Sequence, residues 1–141
     1  MLCVQCQEGH VAGMIEYVDR NVQRLIHMIE GIKRINRSLA GVSQEEFLAD
    51  EMRQSAVAFD ISMIGESAAN ISEAFQNEHP EIPWVKMRGM RNRLVHIFDY
   101  EQIDYEIVWD VAKNALPELE PKIRAALKTI PLPGDFTLPE I

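Results

Sequence analysis

Hydrophobic residues recur every three or four positions along four stretches of this chain, the spacing that places them on one face of an α-helix. The first stretch predicts a helix over residues 15–39 that ends at Gly41, a residue suited to a helix C-cap. Its apolar face comprises Ile15, Val18, Val22, Leu25, Ile29, Ile32, Ile35 and Leu39. Because the pattern begins near Met14, we expect residues 1–13 to form a flexible leader.

The second stretch begins with a capping box, Ser43-Gln44-Glu45-Glu46, in which the Ser43 hydroxyl accepts a hydrogen bond from the Glu46 amide. The spacing predicts one helix that continues to about residue 75. Its expected core face comprises Phe47, Met52, Ala56, Phe59, Met63, Ala68, Ile71 and Phe75.

Gly65 lies in the middle of this predicted helix, where a glycine costs about 1 kcal/mol relative to alanine. We therefore expect a neighbouring backbone to approach closely at Gly65. Glu66 and Asn70 are one turn apart and are either solvated or turned inward to pair with an arginine. The neighbouring alanines keep these surroundings apolar and favour the inward arrangement.

Pro80 and Pro83 separate the second stretch from the third, which predicts a helix over residues 84–98. Asp104 is placed to cap a fourth helix that runs to residue 127, and Pro117 and Pro121 are expected to break or bend it. Four amphipathic helices with short connections predict an all-α fold, an antiparallel four-helix bundle over residues 14–130. Residues 131–141, rich in proline, are expected to form an extended tail.

The composition is that of a globular protein with one domain, since 141 residues include 47% hydrophobic and 26% charged residues. No apolar run approaches the roughly 20 residues that cross a bilayer, and the first residues lack the features of a signal peptide. We therefore expect a cytoplasmic protein without a membrane partner.

Cys3 and Cys6 form a CxxC motif, which leaves three interpretations open: a zinc site, a redox pair, or two reduced thiols in a leader. A zinc site needs two more ligands, whereas the four histidines are scattered along the chain. A redox pair needs a strand and helix around it, and the pattern predicts no strand. The third interpretation is favoured, and no metal or cofactor is predicted.

The segment from Lys86 to Tyr100 departs from the charge of the whole chain, which is -8 at pH 7. It carries Lys86, Arg88, Arg91 and Arg93 together with His96, and no acid lies between them. A cationic segment in an anionic chain indicates one local anionic ligand, whereas a protein that coats nucleic acid is usually basic over a whole face. No DNA partner is predicted. The alternative is a set of solvated surface charges.

The spacing of these residues suggests a chemistry and an oligomeric state. In a helix, Arg88, Asn92 and His96 form a polar column, while Arg91 lies about 140° around the helix from His96 and roughly 7.5 Å along it. One helix therefore cannot direct Arg91 and His96 at the same atom. Two copies facing each other across a two-fold axis can, and this predicts a homodimer.

Histidine and arginine together suit cleavage of RNA without a metal ion. An imidazole with a reference pKa of about 6.5 moves the proton of a 2′-hydroxyl, which attacks the adjacent phosphate and leaves a cyclic phosphate end. A guanidinium binds the phosphate oxygens as they gain charge. Arg91, Asn92 and His96 are the candidate catalytic residues, and Lys86, Arg88 and Arg93 are candidate contacts to RNA phosphates.

Several segments in order resemble one protein family: Ile64-Gly65-Glu66-Ser67, His79 through Trp84, Gly89 through Asn92, Leu94-Val95-His96, and Asp104 through Trp109 followed by Leu116-Pro117. They resemble the HepT branch of the HEPN ribonuclease toxins, over residues 14–130. The resemblance implies a homodimeric RNA endonuclease, the toxin of a type II or type VII-like toxin–antitoxin system. It places Arg91 and His96 at the catalytic positions and Asn92 at the polar position after the arginine.

The resemblance also implies a partner, an MntA-like minimal nucleotidyltransferase that acts as antitoxin. In this branch the partner attaches AMP to a tyrosine two residues after the histidine, where the present chain has Phe98. Three interpretations are open: Tyr100 is the substitute acceptor, the antitoxin acts by occlusion alone, or Phe98 marks a weakened toxin because the missing hydroxyl also helps to bind phosphate. The alternative function is a helical dimer without catalytic activity that docks a nucleotidyltransferase or a nucleotide.

Overall fold

The computed structural model describes residues 2–95, 103–132, 134 and 137–141, with the backbone alone for helix residues 2–19 and 95. All regular secondary structure in these ranges is helical, which confirms the all-α prediction. The elements are α1 Leu2–Leu39, α2 Gln44–Leu48, α3 Glu51–Ala69, α4 Glu73–Glu78, α5 Trp84–Val95, α6 Tyr105–Asp110, a π-helical turn Val111–Ala115 and α7 Leu116–Lys128.

α1 begins earlier than the hydrophobic pattern predicts. Residues 2–13, expected as a flexible leader, continue the same helix without interruption. This segment contains no proline, the residue that interrupts a helix most strongly, and its two glycines, Gly9 and Gly13, are accommodated within the helix. At the other end, Gly41 has a φ of 71°, which confirms the predicted C-cap.

The second predicted helix is divided into α2, α3 and α4, so the expectation of one continuous helix was wrong. Ser43 caps α2 by accepting from the Glu46 amide at 3.1 Å, as predicted. Asp50 then caps α3 by accepting from the Arg53 amide at 3.1 Å, and Ser72 caps α4. Each cap is a short polar side chain that satisfies a free amide at a new helix start.

The predicted core face of the second stretch was wrong for α3 as far as Met63, whereas Ala68 is buried as predicted. Met52, Phe59 and Met63 are exposed to 86%, 63% and 43%, and Ala56 between them is exposed as well. The buried side of α3 instead comprises Gln54, Val57, Ala58, Asp60, Ile61, Ile64, Gly65 and Ala68. Because α3 is apolar on more than one side, its sequence alone does not identify the side that faces the core.

α1 lies at the centre of the packing, with α3 and α7 against it and α5 against α3. From Val22 onward its predicted apolar face is buried, which confirms that face over the described side chains. The largest fully buried side chains are Phe47, Leu25, Met28, Ile29, Ile32, Ile35, Leu39, Ile82 and Ile123. In the described part of the chain, no helix combines the length and apolar character needed to span a bilayer.

The fourth predicted helix does not break at its prolines. Asp104 caps α6 by accepting from the Glu106 amide at 3.0 Å, as predicted. The helix then widens into the π-helical turn directly before Pro117, and Pro121 lies inside α7. A π-turn accommodates the missing proline amide with a local change of hydrogen bonding.

After α7, the described residues of 131–141 form neither helix nor strand. The predicted domain boundaries at residues 14 and 130 stay predictions.

Candidate active site

Arg91 lies on the packed side of α5, which faces α3. The site opposite it on α3 is Gly65, where an added Cβ would collide with the Arg91 Cβ and would lie 2.8 Å from the Met87 carbonyl oxygen. The predicted close backbone approach at Gly65 is therefore confirmed. The absence of a side chain at Gly65 allows α5 to pack against α3 with the Arg91 stem between the two helices.

The guanidinium of Arg91 is held by two neighbours. Its Nη2 lies 2.5 Å from Oε2 of Glu66, and its Nη1 donates to Oδ1 of Asn92 at 2.9 Å. The predicted pairing of Glu66 with an arginine of the cationic segment is confirmed, while the Glu66 side chain stays 42% exposed rather than turned fully inward. Two partners on different helices fix the plane of the guanidinium, which a single surface ion pair does not do.

This pair is part of a polar network that crosses three helices. Asn70, the C-cap of α3, donates from Nδ2 to two oxygens of Glu66: the side-chain Oε1 at 3.2 Å and the backbone carbonyl oxygen at 2.8 Å. Arg24 of α1 donates through Nη1 to the carbonyl oxygen of Asn70. A cation at the C-terminus of α3 also interacts favourably with the helix dipole. The network therefore connects the predicted catalytic arginine on α5 to α1.

Arg91 has one polar atom without a partner among the described residues. Its Nε is buried, and no described side chain or carbonyl accepts a hydrogen bond from it. A buried donor without a partner costs about 1–3 kcal/mol, which the packing of α5 against α3 has to offset. The Arg91 side chain as a whole is 30% accessible to solvent.

Two of the other three predicted phosphate contacts lie away from Arg91. Lys86 and Arg93 are exposed and lie about 140° and 160° around α5 from Arg91, on the opposite side of the helix. Arg88 is half-buried and lies about 60° around the helix from Arg91, one turn before it. All three assignments as RNA contacts stay predictions. His96, Phe98 and Tyr100 lie outside the described residues.

Sequence reasoning missed a cleft between α1 and α3 that adjoins this site. It has a volume of about 390 Å³ and is lined by Arg20, Gln23, Arg24 and His27 of α1 and by Glu66, Ser67 and Asn70 of α3. We call it the α1–α3 cleft. His27 is exposed and lines this cleft. The i, i+4, i+7 spacing of Arg20, Arg24 and His27 was the available signal.

Possible metal ligands are dispersed in the part of the chain that the structure describes. Within those ranges, no three His, Cys, Asp or Glu side chains come together as a metal site. The side chains of Cys3 and Cys6 are outside the description, so their role stays a prediction.

Comparison with known proteins identifies related chains. A family described as "HepT-like: Ribonuclease HepT-like" matches residues 28–126. "Putative RNase MJ0127" of Methanocaldococcus jannaschii is 35% identical over 75% of this chain and 86% of its own length. "Putative RNase TTE0752" of Caldanaerobacter subterraneus subsp. tengcongensis is 30% identical over 79% of this chain and 92% of its own length. "Probable ribonuclease HepT" of Thermococcus cleftensis is 35% identical over 70% of this chain and 88% of its own length. No solved structure matches significantly.

Proposed function

We propose, from the premise that this chain belongs to the HepT-like ribonuclease family, that it is an RNA endonuclease that acts without a metal ion. The 2′-hydroxyl of RNA attacks its neighbouring phosphate, and a cyclic phosphate and a free 5′-hydroxyl result. The observation that carries this proposal is the Arg91 guanidinium, which Glu66 and Asn92 hold in one orientation on α5. A fixed cation of this kind supports the charge that develops on phosphate oxygens in the transition state.

In this mechanism Arg91 binds the scissile phosphate through the N–H groups that remain beside its contacts to Glu66 and Asn92. Each terminal guanidinium nitrogen has two hydrogens, so one partner on each leaves a donor for the phosphate. Glu66 neutralises part of the charge of Arg91 before RNA binds and keeps the guanidinium from rotating. Asn92 acts as a positioning residue on the other edge of the guanidinium, where its Oδ1 accepts a hydrogen bond from Nη1.

His96 takes the role of proton acceptor and donor, an assignment supported by its spacing from Arg91 and by the family. Because the two residues are about 140° apart on an ideal helix, we propose that His96 of one subunit serves the phosphate held by Arg91 of the other. The exposed residues Met52, Ala56, Phe59 and Met63 form a continuous apolar face on α3. We call this face the α3 stripe, and we propose that a second copy of the chain covers it.

The α3 stripe supports a homodimer because it leads along one side of α3 to Glu66 and therefore to the Arg91 site. Contiguous exposed apolar residues of this size are uncommon on monomers and mark contact surfaces. A second copy packed here brings two Arg91 sites to the edges of one interface. The cleft between the subunits then contains the Arg91 guanidinium of each copy. This arrangement allows His96 of one subunit to serve the phosphate that Arg91 of the other subunit binds.

Phe59→Glu is expected to convert the dimer to a folded monomer, because a carboxylate replaces an aromatic side chain at the centre of the α3 stripe. Phe59 is 63% exposed within one chain, so the free energy of unfolding of the monomer should change little. Light scattering after gel filtration measures the mass, and circular dichroism checks the helix content. Val85→Glu is the control, since Val85 is 73% exposed on α5. A Phe59→Glu dimer as stable as wild type would exclude the α3 stripe as the interface.

The catalytic proposal is tested with purified protein and single-stranded RNA in excess EDTA. Wild type is expected to cleave and to leave 2′,3′-cyclic phosphate ends, and His96→Ala is expected to lose about 10²–10⁴-fold in rate because the general acid–base group is gone. End groups are identified by mass spectrometry. Expressed in a bacterium, wild type should arrest growth and His96→Ala should not.

Equal toxicity of the two proteins, with no cleavage by either, would favour a dimer that docks a nucleotidyltransferase or a nucleotide through the same cations. Cleavage that stops in EDTA would exclude the metal-independent route.

We propose further that the protein is the toxin of a toxin–antitoxin pair in the cytoplasm. The antitoxin is an MntA-like minimal nucleotidyltransferase, and Tyr100 is the acceptor of AMP in place of the tyrosine that Phe98 replaces. The intact mass of the toxin after incubation with the partner and ATP distinguishes AMP transfer from occlusion. A mass increase of one AMP that persists in Tyr100→Phe would exclude Tyr100 as the acceptor.

A further inference from the structure

The α1–α3 cleft has the charge and the position of a second binding site for the RNA strand. Arg20 and Arg24 line it, and Glu66 is the carboxylate among its described lining residues. Glu66 is already paired with Arg91 at 2.5 Å, so its charge is largely compensated. Arg20 and Arg24 of α1 place two guanidinium groups in the cleft, and each has five N–H donors, more than one partner uses. Guanidinium donors gathered at one place in a chain whose net charge is -8 favour an anionic ligand there.

The cleft is directly connected to the proposed cleavage site. Glu66 lines the cleft with its side chain and also holds the guanidinium of Arg91. Asn70 links Glu66 to Arg24 through its side-chain amide and its carbonyl oxygen. A strand whose scissile phosphate lies on Arg91 therefore has the cleft beside it, on the α1 side of α3.

The side chains that line the cleft match the parts of a nucleotide. Arg20 and Arg24 suit a phosphate, since guanidinium groups bind phosphate oxygens with paired donors. Gln23 and His27 are exposed and provide hydrogen-bonding groups for ribose or base. A volume of about 390 Å³ is in the range of small-molecule sites and accommodates one nucleotide.

We infer that the α1–α3 cleft binds the RNA backbone one nucleotide away from the scissile phosphate, with Arg24 and Arg20 as phosphate contacts and Gln23 and His27 facing the ribose and base. This inference rests on the proposed ribonuclease function, which it deepens with a subsite for the strand. The sequence motif around Arg91 does not include these residues, because they come from α1.

The inference is tested by binding rather than cleavage. The probe is a fluorescent single-stranded RNA in which every ribose carries a 2′-O-methyl group, so the 2′-hydroxyl attack cannot occur. Fluorescence anisotropy gives the Kd over a series of KCl concentrations in EDTA. Arg24→Gln is expected to raise the Kd about tenfold, the loss of one charged hydrogen bond. It should also reduce the slope of log K against log salt by about 0.7, the contribution of one phosphate contact with a single strand.

Matched variants separate a local contact from a change in net charge. Arg37→Gln removes the same charge from an exposed position near the C-terminal end of α1 and should leave the Kd and the salt slope unchanged. Because Arg24 also contacts Asn70, Gln23→Glu provides a second variant that breaks no contact of the network. It should raise the Kd about threefold, whereas Asn36→Asp, with the same change of charge elsewhere on α1, should not.

The outcomes that overturn the inference are distinct from failure of the proposed function. Unchanged Kd and salt slope in both Arg24→Gln and Gln23→Glu, or no binding of the probe by wild type, would exclude the cleft as an RNA subsite even if unmodified RNA is cleaved. Displacement of the probe by AMP as effectively as by unlabelled RNA, at equal ionic strength, would assign the cleft to a free nucleotide instead. Weakened RNA binding in Arg24→Gln and Gln23→Glu, with wild-type binding in Arg37→Gln and Asn36→Asp, would support the subsite even if no cleavage is found.

Discussion

Arg91→Lys is expected to lower the rate constant for RNA cleavage about 10²–10³-fold, the effect of removing a positioned donor to a developing oxyanion. The charge is kept, but a lysine ammonium cannot contact Glu66, Asn92 and a phosphate oxygen in one plane as the guanidinium does. The loss should therefore appear in kcat more than in KM. Single-turnover cleavage of a fluorescent RNA, with the enzyme in excess, measures it.

Arg37→Lys is the matched control, because Arg37 is exposed on α1 and away from the site. It should cleave at the wild-type rate. Cleavage by Arg91→Lys at the wild-type rate, with an unchanged melting temperature, would show that Arg91 does not stabilise the transition state. A large fall in melting temperature would instead assign Arg91 to the packing of α5 on α3.

Gly65→Ala is expected to destabilise the fold by about 1–3 kcal/mol and to impair cleavage. The new Cβ would lie 2.8 Å from the Met87 carbonyl oxygen and collide with the Arg91 Cβ, so α5 must move away from α3. Because the obstacle is backbone, a rotamer change does not relieve it. The movement displaces Arg91 itself, and a shift of about 1 Å in a catalytic group costs on the order of 100-fold in rate. Chemical denaturation and the cleavage assay measure the two effects.

Gly89→Ala is the matched control on the facing helix. Gly89 is exposed in α5, and an added Cβ there meets no described atom within 4 Å. This variant should gain up to about 1 kcal/mol from the higher helix propensity of alanine. If Gly65→Ala were equally stabilising, the close contact between α3 and α5 would not hold in solution.

The residues around Arg91 illustrate what could be predicted from the sequence. A glycine inside a helical pattern predicted a close backbone contact, and the apolar residues around Glu66 favoured its inward pairing. Both predictions were confirmed because each depends on the chemistry of a single residue: a missing side chain at Gly65, and a carboxylate at Glu66 that pairs favourably with a guanidinium. The capping roles of Ser43 and Asp104 were confirmed for the same reason.

The buried side of α3 and the α1–α3 cleft could not be predicted in this way. α3 carries apolar residues on more than one side, and only the positions of α1 and α5 decide that Ile61 and Ile64 are buried while Phe59 and Met63 are exposed. Arg24 and Asn70 are 46 residues apart in the chain, so their contact depends on how α1 packs against α3. A pattern along one helix contains no information about its partner's position.

The sequence by itself determined the helical class, the caps, the cationic segment and the family, because helix periodicity, capping and charge are properties of neighbouring residues. Only the tertiary structure decided that Arg91 lies between α3 and α5 and pairs with Glu66. It also decided that α1 contributes Arg20 and Arg24 to a cleft beside the site. These arrangements depend on which helix faces overlap, and that is settled by the packing of side chains across the whole core.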